Sequence, residues 1–187
     1  MKWEPAGFNG HVDVALFDLK RQNTLTPNPA NATQAIQNGE VTSRGLEMSV
    51  VSNLTREFKM VGSFTAFNIF ISKDAEPTLV NKVPTNTPSR MASLWGDYTF
   101  RDGPLSGFGF SAGVRYVGSS YADPANLFPV PDYVLGDAAI HYEYQSWRAA
   151  LNVSNITDKI FVGSCATISA CYYGDRRRAT ASISYRW

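Results

Sequence analysis

Three groups of side chains in this sequence are of types that do chemistry. Asp137, His141 and Glu143 stand at spacings that put them on one face of a strand. Two carboxylates and an imidazole on one face could hold a metal ion or exchange protons. Cys165 and Cys171 are the only cysteines, six positions apart. They are either free thiols or a disulfide, which at this loop length would contribute roughly 2 kcal/mol by the chain-entropy estimate. A metal site needs more ligands than these two thiols supply locally. Tyr172 and Tyr173 follow at once, then Arg176, Arg177 and Arg178. The tyrosines offer contact area with a polar handle. The arginines make a solvated face, a lumen pairing or a pull on an anionic ligand. Asn155 to Asp158 matches a glycosylation sequon. No glycine-rich phosphate loop or nucleophile elbow is present, and no catalytic residue is assigned.

Those groups need elements to hold them. The last ten residues alternate without a break. Ala179, Ala181, Ile183, Tyr185 and Trp187 oppose Arg178, Thr180, Ser182, Ser184 and Arg186. A period of two is a strand. The same period predicts about eight strands, near 11–20, 36–52, 58–72, 91–100, 105–119, 133–144, 147–154 and 178–187. The cleanest sets Phe108, Phe110, Ala112, Val114 and Tyr116 against Gly107, Gly109, Ser111, Gly113 and Arg115. Short turns at 53–57, 101–104 and 145–146 alternate with long loops, among them QNTLTPNPANAT (22–33) and ADPANLFPVP (122–131). That rhythm suits an outer-membrane barrel, whose apolar face meets lipid and whose polar face meets a wet lumen. Phe108, Tyr116, Tyr142, Trp147 and Trp187 lie near strand ends, where aromatic girdles form. In that setting Asp137, His141 and Glu143, like Arg115 and Arg148, are lumen groups held by structural pairing, and no metal site is expected.

Composition agrees. The 187 residues are 44% hydrophobic, with net charge +1 and mean hydropathy −0.20. Nothing points to nucleic acid. No apolar run approaches the roughly 18 residues of a membrane helix, but barrel strands need only about 9–11 alternating residues. MKWEPAGFNG lacks the basic start and apolar stretch of a signal peptide.

Segments 6–27, 39–50, 88–100, 113–126, 131–143, 151–165 and 171–187, in this order, resemble the C-terminal part of TonB-dependent outer-membrane siderophore receptors. The resemblance is strongest to the ferrichrome-type hydroxamate subfamily. It implies an all-β fold: an antiparallel up-and-down transmembrane β-barrel segment, about eight strands of a 22-stranded barrel in the bacterial outer membrane. Residues 1–187 would be the C-terminal part of that barrel, with signal peptide, TonB box and plug domain not among them. The implied function is uptake of an Fe(III)–siderophore, without enzyme chemistry or cofactor. The TonB energy-coupling complex would act only through the missing plug. The resemblance further implies a Cys165–Cys171 disulfide in an outer loop. Tyr172 and Tyr173, with Tyr121 and Phe128, would face the ligand. Ile183, Tyr185 and Trp187 would be the C-terminal signal for the barrel-assembly machinery. Two alternatives stay open: a complete small eight-stranded outer-membrane barrel with an adhesin or structural role, and a soluble ligand-binding β-barrel with its apolar face inside.

Overall fold

The computed structural model describes residues 1–4, 9–28 and 30–187. The first three residues of the segment 6–27 lie outside them. The described residues form β1 (Lys2–Trp3), β2 (Gly10–Asn28), β3 (Asn31–Asn53), β4 (Phe58–Lys73), β5 (Arg90–Thr99), β6 (Phe108–Val117), β7 (Ser120–Tyr121), β8 (Pro129–Val130), β9 (Tyr133–Tyr144), β10 (Trp147–Ser154), β11 (Val162–Thr167), β12 (Ala170–Tyr173) and β13 (Arg178–Tyr185). The main sheet runs β1-β2-β3-β4-β5-β6-β9-β10-β13, antiparallel throughout. Eight of these strands are long and β1 has two residues. The pairs β7–β8 and β11–β12 are small hairpins within the outer loops. Among the described residues the sheet does not close, because β13 pairs only with β10 and β1 only with β2. An eight-stranded barrel closed on itself would need β13 to pair with the first strands.

One expectation needs correction. Residues 22–33 are not a long loop. β2 runs on to Asn28 and β3 resumes at Asn31, with register shifts between Gln22 and Leu25 and before Asn28. The alternation of apolar and polar residues fades here for a physical reason. On the face that carries Leu16, Leu46 and Ala66, the next rows are Asp18, Arg44 and Asn68, then Lys20, Thr42 and Phe70. Once a hairpin rises into water, both faces are wet and no apolar period marks the strand.

Register settles which residues share a face. Val14, Met48, Phe64, Ala92, Tyr116 and Val134 form one cross-strand row. Phe58, Tyr98, Phe110, Ile140, Leu151 and Ala181 form another. This face is bare: Leu16 is 81% exposed and Val114 52%. The opposite face carries Thr99, Ser111 and His141, buried at 5–7% exposure. A soluble sheet buries its apolar face. Here that relation is inverted, as when lipid covers the apolar side and a lumen the polar one. The soluble barrel is therefore excluded. Along β6 the apolar face spans Phe108 to Tyr116. At about 3.3 Å per residue and a tilt of about 40°, that is roughly 20 Å of the roughly 25 Å lipid band.

Aromatic rings gather on one rim of the band. Tyr98, Phe100, Phe108 and Phe110 pack with centroids 5.0–6.4 Å apart. Tyr142 stacks with Tyr144 at 6.5 Å, and Trp147 meets Tyr185 at 4.8 Å. These rings lie beside the short turns. The Asp18–Arg44 ion pair, at 3.0 Å, marks the opposite rim on the outer surface. The short-turn end is therefore the periplasmic end, and the long loops face outward.

Candidate functional site

The lumen face is a paired polar wall. Arg115 on β6 makes a bidentate contact with Asp137 on β9, Nε to Oδ2 at 2.6 Å and Nη2 to Oδ1 at 3.0 Å. Arg148 donates to Glu143 at 2.8 Å. His141 Nε2 lies 3.1 Å from Thr99 Oγ1, and its Nδ1 lies 3.7 Å from Asp97. Gly109 makes room for this histidine, since a Cβ there would stand 2.3 Å from His141 Nε2. Asp137, His141 and Glu143 thus share a face but are drawn to three different partners. Among the described residues, no three His, Cys, Asp or Glu are placed to hold a metal ion.

The outer mouth is built from three loops that brace one another. Loop 74–89 carries Asn86, loop 118–132 carries Asn126, and loop 155–177 carries the β11–β12 hairpin. Asn126 Oδ1 accepts from Val83 N–H at 2.7 Å, and its Nδ2 donates to Val83 O at 2.9 Å. Asn86 makes the same two-way bridge to Cys165: Oδ1 accepts from the Cys165 N–H at 2.8 Å and Nδ2 donates to Cys165 O at 2.6 Å. The Asn86 N–H donates to Tyr121 O at 2.9 Å. Each amide side chain thus pairs with a backbone as another strand would. Ala122, Val130 and Cys165 bury together, with Val162 against them. Asp123 holds the β7–β8 turn by accepting from the N–H groups of Leu127 and Phe128. Burial pushes its carboxyl up, but these backbone donors outweigh that and leave it below the usual carboxylate range.

The third loop is tied down at both ends. Asn155 is 2% exposed. Its Nδ2 donates to Lys159 O at 2.8 Å and Asp175 O at 3.1 Å, while its Oδ1 accepts from Lys159 N–H at 2.9 Å. Its own N–H donates to Asp137 at 2.9 Å, which connects the loop to the lumen wall. This burial leaves no room for a sugar on Asn155. Asp158 grips the Arg176 guanidinium with both oxygens and accepts from Arg177 N–H. The Arg176 hydrogen bond first, then the Arg177 N–H, hold the Asp158 carboxyl far below its usual range.

Cys165 and Cys171 are joined in a disulfide across β11 and β12. Cys165 is 2% exposed against the loop core. Tyr172 sits opposite Ser164 and Tyr173 opposite Val162, 62% and 74% exposed. Tyr121 and Phe128 lie on the β7–β8 hairpin, with Phe128 half exposed. The two aromatic sets belong to different hairpins and are connected through Asn86. Ile183 and Tyr185 lie on β13 among the apolar rows, and Trp187 is fully exposed beyond it. The sequence singles out neither Asn86 nor Asn126, and marks Asn155 only as a sequon. All three have left-handed backbones, with φ of 54°, 60° and 50°. Asparagine tolerates that region and carries a donor and an acceptor together, so isolated loop asparagines were the available signal.

A sheet with its apolar face outward, short turns at one end and braced loops at the other is the wall of an outer-membrane β-barrel. The chain belongs to the TonB-dependent receptor β-barrel family: the model described as "TonB dependent receptor-like, beta-barrel" matches residues 1–156. It is 36% identical over 181 residues to the ferrichrome outer membrane transporter/phage receptor of Escherichia coli K12, covering 94% of this chain and 24% of that protein. It is 35% identical over 192 residues to the ferrioxamine receptor of Yersinia enterocolitica, covering 98% of this chain and 26% of that protein. The crystal structure of the siderophore receptor PiuA from Acinetobacter baumannii shares the fold with TM-score 0.79 and 23% identity, covering 98% of this chain and 27% of that one. The chain spans about a quarter of the length of the curated relatives it matches. It is a segment of a larger barrel of the outer membrane.

Proposed function

We propose that residues 1–187 form the C-terminal wall and outer mouth of a receptor that imports an Fe(III)–siderophore of the hydroxamate class. The ferrichrome and ferrioxamine names of the two relatives support that class. The ligand is cargo, and the chain carries out no bond chemistry on it. The observation that carries the reading is the exposed pair Tyr172–Tyr173, held on a braced hairpin at the outer end of a wall whose polar face lines a lumen. Ferric siderophores are bulky, and rigid aromatics give contact area at small entropic cost. Tyr121 and Phe128 would extend the contact from the neighbouring hairpin. Energy would reach the site from the TonB complex through a plug within the lumen. The barrel-assembly machinery would read Ile183, Tyr185 and Trp187.

The test uses the receptor-length protein that contains these residues. Cells expressing it are titrated with radiolabelled ferric ferrichrome, ferric ferrioxamine B and a ferric catecholate. Hydroxamate binding should be preferred. Replacing both Tyr172 and Tyr173 with Ala should weaken it by roughly tenfold, about 1.4 kcal/mol. Unchanged affinity in that variant rejects the ligand site, and a preference for catecholate rejects the class.

A further inference from the structure

We infer that Asn86 is a positioning residue for ligand recognition: from a different loop, it sets the place of the Tyr172–Tyr173 pair. The inference rests on the proposed ligand site and adds to it a residue that touches no ligand. Three observations carry it.

First, beyond the fastenings at its base by Asn155 and Asp158, the β11–β12 hairpin is held at few points. Its exposed strand β12 bears both tyrosines, and its inner strand β11 is held at Val162 and Cys165. Cys165 lies one rung of the hairpin ladder from Tyr172 and two from Tyr173: it pairs with Cys171, Ser164 with Tyr172 and Val162 with Tyr173. Whatever fixes Cys165 therefore fixes both rings, because the disulfide makes the two strands one body.

Second, the bridge from Asn86 to Cys165 is reciprocal and joins residues 79 positions apart. One amide satisfies both the N–H and the C=O of a residue that is 2% exposed. Losing it strands a buried donor and a buried acceptor together, which is costlier than losing either contact at the surface.

Third, the Asn86 backbone is committed elsewhere. Its N–H goes to Tyr121 O, while its side chain reaches across the loop interface to Cys165. Asn86 thus joins the hairpin bearing Tyr172 and Tyr173 to the hairpin bearing Tyr121 and Phe128. Asn126 makes the same kind of bridge, but only between loop 74–89 and loop 118–132. It makes no direct bond to Cys165, so it serves as a control for loosening the other two loops.

A fixed aromatic pair spares the ligand the cost of ordering it. Without the bridge that cost falls on binding, and affinity should drop by roughly tenfold. Reciprocity requires bound ligand to restore order to the loosened hairpin.

The experiment compares Asn86→Ala, Asn126→Ala and the Tyr172→Ala/Tyr173→Ala double variant in the receptor-length protein, purified in detergent. Ferric ferrichrome binding gives affinity and capacity. Hydrogen exchange over 162–173 reads hairpin order, with and without saturating ferrichrome. For Asn86→Ala the expected result is full capacity, affinity lowered about tenfold, exchange about tenfold faster, and protection regained with ligand. Asn126→Ala should speed exchange at 162–173 less than Asn86→Ala does, and an equal effect from both would overturn the specific role of Asn86. Capacity counts folded receptor, so a folding defect shows as lost sites and a positioning defect as lost affinity. If the tyrosine variant weakens binding and Asn86→Ala does not, the positioning role is overturned and the ligand site stands. If Asn86→Ala speeds exchange with affinity unchanged, the role is likewise overturned. If the tyrosine variant binds as the parent does, the ligand site falls, and the positioning role falls with it.

Discussion

At the residue scale, short polar side chains with left-handed backbones do the fastening. Asn155 combines that conformation with three side-chain hydrogen bonds and almost complete burial. Asn155→Ala would remove the side-chain partner of the Lys159 N–H and C=O and of the Asp175 C=O and add backbone strain. The expected loss is about 1–3 kcal/mol in denaturant unfolding of the receptor. Asn155→Gly relieves the strain but does not replace the hydrogen bonds, so it should recover only part of that loss. Recovery to the parent value would mean that the hydrogen bonds contribute nothing. Asp158 gives a pH signature. Its carboxyl is held below the usual range by Arg176 and then the Arg177 N–H, so the folded state keeps it ionised to lower pH than the unfolded chain does. Its contribution is whole above about pH 4 and fades as pH falls from there toward the depressed value. The melting temperature of Asp158→Asn should trail the parent by a constant margin from pH 8 to about pH 4. Below that the margin should shrink steadily as pH falls; a margin as large at pH 2 as at pH 7 would rule out the ion pair as its source.

At the scale of elements, β6 states the design most plainly. Phe108, Phe110, Ala112, Val114 and Tyr116 meet lipid while Gly109, Ser111, Gly113 and Arg115 line the lumen. Ala112 stands mid-band, beside Gly96 and Ala138. Ala112→Arg places a charge at mid-bilayer and should cost about 2–4 kcal/mol in unfolding from phospholipid vesicles. Thr65→Arg, on the lumen face opposite Glu47, should cost under about 1 kcal/mol. Equal costs would refute the assignment of faces. This alternation was legible in the sequence wherever one face meets lipid and the other water: 133–144 and 147–154 match β9 and β10 to the residue. It was illegible at 22–33, because a hairpin standing in water has no apolar face to report. The site was legible in part. Cys165, Cys171 and the adjacent tyrosines stand out by type and spacing. The Asn86–Cys165 bridge does not, because loop-to-loop register is written in no local period.

At the scale of the molecule, the two sheet margins decide what this chain can do alone. β13 is bonded to β10 on one side, and its other edge has no strand partner among the described residues. Among the described residues, the strand pairing on the free side of β2 is limited to the two residues of β1. A strand edge of eight residues presents roughly eight unpaired N–H and C=O groups. In hydrocarbon each costs several kcal/mol, so the edge would cost tens of kcal/mol, more than a domain's whole stability. No local rearrangement offsets a penalty of that size. Further strands must complete the wall, or the sheet must curl shut on itself. A closed eight-stranded barrel has an interior just wide enough for side chains. Paired groups such as Arg115–Asp137 and Arg148–Glu143 would then fill it, and no siderophore would pass. Either way the isolated chain, refolded into liposomes, should neither conduct ions nor take up ferric ferrichrome. Co-refolding it with the remaining strands of the receptor as a separate polypeptide should give one complex of receptor size that binds ferrichrome. An isolated chain that conducts and transports would show that eight strands suffice, and the open margins would then not describe its state in a bilayer.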